Sequence, residues 1–503
     1  MNVKFELLKK EIFEAENIYD IVVAIYKLLD DEYVPSYIRE YYRALNSDDK
    51  ITMECKGINC LLEQVLEETI EFEQFKQILL VYVSGMQSET FWAVSILKYF
   101  DEIAREKDKY PLLRFSKESS IKRVFTIGPL NVNDQNYLLY MNNTSCFAQN
   151  SEIMKNMRMM GEPDNSNLNS LLKYYHIGKK IDNLPRVYIK DYPGDYFKKS
   201  FLDEDSQIKI AIVPFSKNIW YDVDFEELGD EKNYLYIREK EENVEDINNK
   251  YILTLEQASK NNVDIVIFPE LCMNSQTKKC VQKWLAQKSL LEREFSIKLV
   301  FLGSLWKENI NECCLLSGTG IELIKNSKRI GFVYKKDNKK YQEFLGKKPE
   351  RYELIDISYL GRVLYLICRD AVEDLDQSIF WNQYNVNLEV ISCYSPSIQF
   401  FKQEMDHFVK NKIGFAILAN CCEPRISLKN QEEEIGFLAV PAMSKTAGNS
   451  STFTQIHPYG KIEHCENECD ICDCKHLFTI YPHRCYETEE YKEVLVEHNI
   501  LIN

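Results

Sequence analysis

Residues Leu364 to Asp370 read L-Y-L-I-C-R-D. Val363, Leu364, Leu366 and Ile367 form a short, β-favouring apolar run of the kind that makes a buried strand, and the run stops on Cys368. A thiol at the carboxyl end of a buried strand, followed at once by charged Arg369 and Asp370, sits where an open α/β sheet normally places its chemistry. Taken alone, such a cysteine is more often a small buried hydrophobe. Chemistry requires a base and an oxyanion partner from elsewhere in the chain.

Upstream, Ile208 to Phe215 (I-K-I-A-I-V-P-F) reads as a strand, Asp246 to Asn261 carries a helical stripe at Ile247, Tyr251, Leu255 and Ala258, and Val263 to Phe268 (V-D-I-V-I-F) is a second strand. This is a β-α-β unit, and the charged stretch Ser216 to Val244 inside it is expected as a surface loop. The second strand runs into Pro269-Glu270-Leu271. A carboxylate there is partly desolvated, which raises its pKa and makes it a better base; the competing reading is a glutamate that caps the next helix. Leu299 to Ser304 and Glu312 to Ser317 read as further strands. Arg329 to Lys336 (R-I-G-F-V-Y-K-K) alternates so that Phe332, Tyr334 and Lys336 share one face. A lysine on an inward face is costly unless paired, so Lys336 is the expected cationic site residue.

F-P-E at Phe268 to Glu270, Y-K-K at Tyr334 to Lys336 and I-C-R-D at Ile367 to Asp370 resemble, in order and spacing, the three motifs of the nitrilase or carbon-nitrogen hydrolase superfamily. Gly303-Ser304, Phe415 to Asn420, Gly448-Asn449-Ser450 and His457 to Gly460 resemble further family segments, and the resemblance covers about 206–482. Arg369 stands where the family commonly has an aromatic residue. The resemblance implies an α/β fold, a four-layer α-β-β-α sandwich over about 206–495. It also implies an amidase-type hydrolase acting on a small amide or nitrile. Cys368 would be the nucleophile, Glu270 the base, Lys336 and the Arg369 backbone N–H the oxyanion donors, and Glu343 a second glutamate. No cofactor is implied for catalysis, and homo-oligomerisation is. The alternative is an inactive nitrilase-like scaffold or ligand sensor in a larger assembly.

The 503 residues exceed one ordinary core, and 1–200 is expected as a separate, mainly helical domain of unknown role that recruits a protein partner or restricts access. Stripes at Ile18, Val22, Ile25 and Leu29, at Leu62, Val65, Leu66 and Ile70, and at Trp92, Ile96, Tyr99 and Ile103 are packing faces; Arg123 to Ile127 and Arg186 to Lys190 read as strands. A net charge of -16 argues against coating nucleic acid. No stretch is apolar for long enough to span a membrane and the first residues do not form a signal peptide, so a cytoplasmic protein with reduced thiols is expected.

Cys465, Cys469, Cys472, Cys474 and Cys485 crowd between Gly460 and Tyr486 with His464, His476 and His483. The C-x3-C-x2-C-x-C spacing with His476 nearby suits a closed, structural zinc site and fits no standard iron-sulfur pattern. The flanks, Gly460 to Glu463 and Leu477 to Tyr481, are expected to pair as a hairpin. Cys313-Cys314 and Cys421-Cys422 are expected in the core.

Overall fold

The computed structural model describes 2–30, 70–85 and 89–103 with a few positions from 33 to 64, short segments of 125–197, and nearly all of 206–501 outside 215–220, 229–231, 240–243, 347–350, 374–380, 423–433, 446–451 and 462–474. The first part is helical: α1 (Asn2–Glu14), α2 (Ile18–Leu29), α3 (Phe72–Gly85) and α4 (Glu89–Ile103). Asn17 caps α2 by accepting from the Tyr19 and Asp20 backbone N–H groups, while the Asp20 carboxylate accepts from the Asn17 N–H. The striped residues Ile18, Val22, Ile25 and Leu29 are buried with Ile96, Leu97 and Phe100 in one core.

Strand β1 (Phe125–Ile127) is followed by β2 (Tyr137–Met141), which pairs antiparallel with β3 (Tyr175–Lys179) and with it adds Leu139 and Ile177 to the helical core. Next comes β4 (Arg186–Tyr192). β4 pairs with β1 and runs parallel to β14 (Arg351–Ile357), and Ile189 and Tyr192 are buried in the sandwich core. Residues before 200 therefore contribute two strands to the large sheet, so a boundary near 200 falls beyond part of the domain it was meant to precede.

From there the chain forms β5 (Ile208–Ile212), the hairpin β6 (Tyr221–Leu228) and β7 (Lys232–Glu239), helix α5 (Val244–Lys260), β8 (Ile265–Ile267), α6 (Thr277–Leu291), β9 (Leu299–Lys307), β10 (Ile310–Ser317) and β11 (Glu322–Ser327). A second hairpin, β12 (Val333–Lys336) with β13 (Lys339–Glu343), joins β7 and β6 in a separate four-stranded sheet. The stretch expected as a surface loop is thus half of a small sheet. Its aromatic residues, Phe225, Tyr234 and Tyr236, pack on Tyr341 and Phe344.

After β14 come β15 (Gly361–Ile367), β16 (Leu388–Cys393), α7 (Gln399–Lys412), β17 (Phe415–Asn420), β18 (Glu434–Ser444), β19 (Thr452–Lys461), β20 (Lys475–Glu487) and β21 (Tyr491–Leu501). The large sheet has two halves, β4-β14-β15-β16-β17-β18 and β20-β5-β8-β9-β10-β11, joined edge to edge through β21. Alternate residues of the two halves, among them Ile265, Ile267 and Phe301 on one side and Val363, Tyr365 and Val390 on the other, share one core. The opposite face of the β5-β8-β9 half packs under α5 and α6 through Val266, Val300, Tyr251, Leu255, Val281 and Leu285. α7 covers the other half with Phe401, Met405, Phe408 and Val409. The result is the α-β-β-α layering expected from the sequence. β19 pairs with β18, and β20 with β5 and β21, so the expected pairing of Gly460 to Glu463 with Leu477 to Tyr481 is not formed among the described residues.

β15 is buried along its whole length, which explains why its sequence reads as a continuous apolar run. Arg362 is the exception, and its guanidinium is satisfied by Asp356 at 2.7 Å and by the Tyr384 carbonyl. On the neighbouring strand Glu389 is fully buried, and that burial pushes its carboxyl up to about 8, with Glu404 adding to the shift. The unfolded chain ionises this group above about pH 4.5 while the folded chain keeps it protonated, so each pH unit between about 4.5 and 8 removes up to about 1.4 kcal/mol from folding. Glu389→Gln should raise the urea midpoint more at pH 8 than at pH 5. Equal gains at the two pH values would refute the burial of an ionisable group there.

Candidate active site

Three strand ends and one hairpin converge on a single buried cluster. β8 leads through Phe268 and Pro269 to Glu270, whose residue is only 2% exposed. The turn beyond it is held by the Leu271 N–H, which donates to Ser304 Oγ at 3.0 Å. Gly303 has φ +78°, and a Cβ there would meet the Pro269 carbonyl oxygen at 2.0 Å, so the Gly303-Ser304 pair is what lets β9 approach the Glu270 turn. β15 ends on Cys368, which is 4% exposed and has φ +45°, an uncommon backbone state for a residue with a side chain. A single helical turn, Asp370–Glu373, follows.

The cation of this cluster is Lys328, the residue immediately after β11. Its Nζ lies 2.8 Å from Glu270 Oε1 and 2.8 Å from Glu343 Oε2, and all three side chains are at most 2% exposed. Its backbone N–H donates to the Asn311 carbonyl at 2.8 Å. The next two residues are held by Asp370, whose carboxylate accepts from the Arg329 and Ile330 N–H groups at 3.0 and 2.9 Å. The turn after the thiol thereby anchors the segment that carries the lysine. Glu343, at the end of β13, also accepts from the Phe332 N–H at 2.6 Å, and Glu270 accepts from Asn311 Nδ2 at 2.8 Å and from the Tyr394 N–H at 2.9 Å.

Burial raises the Glu270 carboxyl above its ordinary range; the Lys328 charge offsets this in part and Glu343 adds to it. Burial would by itself strip the Lys328 proton, but Glu270 and Glu343, with Cys368 adding to them, hold the ammonium charged well above its ordinary value. The Cys368 thiol, Glu270 carboxylate and Cys393 thiol present atoms all within 4.8 Å of one another. A thiol beside a carboxyl of raised pKa that is itself paired with a charged amine can form a nucleophile, pass its proton on and have its oxyanion stabilised.

Of the residues singled out in the sequence, Glu270, Glu343 and Cys368 are brought together. Arg369 follows Cys368, and its guanidinium donates to the Gly331 carbonyl at 2.9 Å. Lys336 is not brought in. It lies exposed on the edge strand of the small sheet, with its ammonium 4.2 Å from the Phe225 ring centre. The expected strand Arg329 to Lys336 fails because only Val333–Lys336 is extended and it pairs with β13 instead of the sandwich. A signal for Lys328 does exist: Ile324, Asn326 and Lys328 alternate as buried positions while Lys325 between them is exposed. Of the expected zinc ligands, Cys465, Cys469, Cys472 and Cys474 lie outside the described residues, as do Gly448-Asn449-Ser450. His476 is buried in β20 with Nδ1 3.1 Å from His498 Nε2. Cys313, Cys314, Cys421 and Cys422 are all buried, as expected of core cysteines.

Comparison with known proteins gives likeness in structure only. Solved structures of nitrilase-superfamily proteins are similar to this chain. Yeast (Saccharomyces cerevisiae) Nit3, a member of branch 10 of the nitrilase superfamily, is 13% identical with a TM-score of 0.31, over 52% of this chain and 94% of its own. An amidase from Nesterenkonia sp. is 13% identical with a TM-score of 0.30, over 50% and 90%. The glutamine-dependent NAD+ synthetase of Acinetobacter baumannii is 16% identical with a TM-score of 0.33, over 57% of this chain and 47% of its own, so the match spans about half of that enzyme. No family model matches the sequence, and no curated protein does. Among the described residues no helix is long and apolar enough to cross a membrane.

The two lysines are separable by stability. Lys328→Met leaves two carboxylates buried without their cation and should cost about 3–5 kcal/mol in urea unfolding. Lys336→Met loses one exposed ring contact and should cost no more than about 1 kcal/mol. Similar losses for the two variants would contradict the assignment of Lys328 as the buried cation.

Proposed function

We propose that this chain is a carbon-nitrogen hydrolase of the amidase type, acting on a small amide or nitrile through a cysteine thioester. The observation that carries this reading is the Cys368 sulfur within 4.8 Å of the Glu270 carboxylate, which in turn pairs with Lys328 held between two carboxylates. Glu270 takes the thiol proton as Cys368 attacks the carbonyl carbon. Lys328, in the role first expected of Lys336, and the Arg369 backbone N–H receive the developing oxyanion. Collapse breaks the C–N bond, and the amine leaves with the proton held by Glu270. Water then adds to the thioester as Glu270 accepts its proton, and release of the acid returns the thiol. Glu343 does not touch the reacting atoms in this scheme; it keeps Lys328 charged and in place.

A panel of small aliphatic and aromatic amides, followed by ammonia release, tests the reading. Cys368→Ala should abolish turnover with an unchanged melting curve, and Lys336→Met should leave it unchanged. Lys328→Met should lower kcat by about 100-fold or more, since one oxyanion donor is worth about 2.7–4 kcal/mol of barrier. The acidic limb of the rate against pH should lie above the ordinary carboxylate range because Glu270 must be ionised to accept the proton. Turnover that survives Cys368→Ala rejects the mechanism. The burial of Cys368 is the observation that favours a second reading, an inactive nitrilase-like scaffold or ligand sensor. That reading gains if no amide or nitrile probe labels Cys368 in the intact fold.

The cysteine-rich segment carries a separate proposal from its spacing alone: Cys465, Cys469, Cys472 and Cys474, with His476 at hand, hold a structural zinc. Elemental analysis of the purified chain should find about one zinc per molecule, retained in Cys368→Ala and lost in Cys469→Ser. Zinc-free protein with the same melting temperature would overturn this.

A further inference from the structure

The sulfur of Cys368 has another sulfur against it. Cys393 Sγ is 3.4 Å from Cys368 Sγ, and both residues are buried. They stand side by side because β15 and β16 run parallel with Ile367 opposite Ser392, and the Cys368 N–H continues the ladder by donating to the Ser392 carbonyl at 2.9 Å. Neighbouring strands lie about 4.7–4.9 Å apart, inside the roughly 4.4–6.8 Å Cα separation that a disulfide spans. Closing the sulfurs to a bond of about 2.05 Å takes a movement of little more than an ångström.

A second sulfur pair provides a contrast. Cys272 and Cys421 are 3.5 Å apart, nearly the same separation, yet both thiols donate to the Glu270 backbone carbonyl, at 3.3 and 3.5 Å. Cys368 differs in lying within 4.8 Å of the Glu270 carboxylate, an acceptor for its proton that is itself paired with the Lys328 ammonium. Burial and the neighbouring Cys368 hold the Cys393 thiol protonated, so the two sulfurs do not compete as first nucleophile.

From this geometry we propose that Cys368 and Cys393 are a peroxide-responsive modification site that closes into a reversible disulfide. The Cys368 thiol passes its proton to Glu270, and its sulfur attacks one oxygen of hydrogen peroxide. An S–O bond forms, the O–O bond breaks, and the departing hydroxide takes that proton and leaves as water. The Cys393 sulfur then attacks the sulfenic sulfur. An S–S bond forms, the S–O bond breaks, and the leaving hydroxyl carries off the Cys393 thiol proton as a second water. One peroxide is reduced to two waters and two thiols become one disulfide, which an external dithiol reverses. The proposal rests on the sulfur pair and holds whether or not the chain hydrolyses amides.

The test uses the full chain, reduced, freed of reductant, exposed to about one equivalent of hydrogen peroxide, blocked with N-ethylmaleimide and mapped as non-reduced peptides by mass spectrometry. The expected product is the Cys368–Cys393 cross-linked peptide, at least about tenfold more abundant than a Cys272–Cys421 cross-link and removed by dithiothreitol. In Cys393→Ser, checked for an unchanged melting curve, Cys368 should instead stop at the sulfenic acid with about one equivalent of peroxide and pass with a second equivalent to sulfinic acid that dithiothreitol does not reverse. Recovery of wild-type Cys368 as the free thiol, as sulfinic acid, or joined to a cysteine of the 465–474 segment overturns the proposal. The wild-type map decides this even if the variant does not fold.

Discussion

A single positive charge, taken out of water and placed between two carboxylates, governs this structure. Lys328 could not remain charged at 2% exposure without Glu270 on one side and Glu343 on the other. The three come from three different places: the loop after β8, the residue after β11 and the end of β13. The charge requirement therefore fixes how the small sheet docks on the sandwich. The carboxyl of this triad that lies beside the Cys368 thiol, Glu270, is the one whose pKa burial has lifted.

The surroundings keep that arrangement rigid. Tyr365 of β15 reaches across the core, where its ring packs edge-on against Phe301 and its hydroxyl accepts from the Gly303 N–H at 2.9 Å and meets Ser392 Oγ at 2.7 Å. Ser392 Oγ donates in turn to the Phe268 carbonyl at 2.7 Å. One hydroxyl chain thus ties together the strand bearing Cys368, the strand bearing Cys393 and the turn bearing Glu270.

Much of this could be read in the sequence where one-dimensional signals are strong. The continuous apolar run before Cys368, the stripe Ile247, Tyr251, Leu255 and Ala258, and the V-D-I-V-I-F strand before Glu270 each report burial directly, and each element forms where its pattern lies. The cation was less legible. Y-K-K at Tyr334 to Lys336 carries the aromatic alternation of a strand, but those aromatic residues pack within the small sheet, so the alternation reports the wrong surface. Lys328 sits in K-N-S-K-R, where the alternation is carried by polar residues, Asn326 and Lys328, whose burial depends on partners distant in the chain: the Asn326 amide donates to the Glu353 and Tyr365 carbonyls, and Lys328 meets two carboxylates. Polar periodicity of that kind is present in the sequence but does not register as hydrophobic patterning. The hairpin β6–β7 was hidden for the same reason, since charged side chains such as Asp224, Glu226 and Arg238 alternate with the aromatic residues that hold it.

The seam between the half-sheets has a temporal meaning. β21 is drawn from Tyr491–Leu501 and lies between β18 and β20, so the strand that joins the two halves is synthesised after every other strand of both. On the ribosome, the layers carrying Glu270 and Cys368 can each collapse locally, but the edges of β18 and β20 stay open until β21 emerges. Pairings separated this widely in sequence form slowly, and unpaired edges are where chains stick to one another. Among the described strands, the closing of the two half-sheets into one therefore waits on β21, however early the rest of each half has formed.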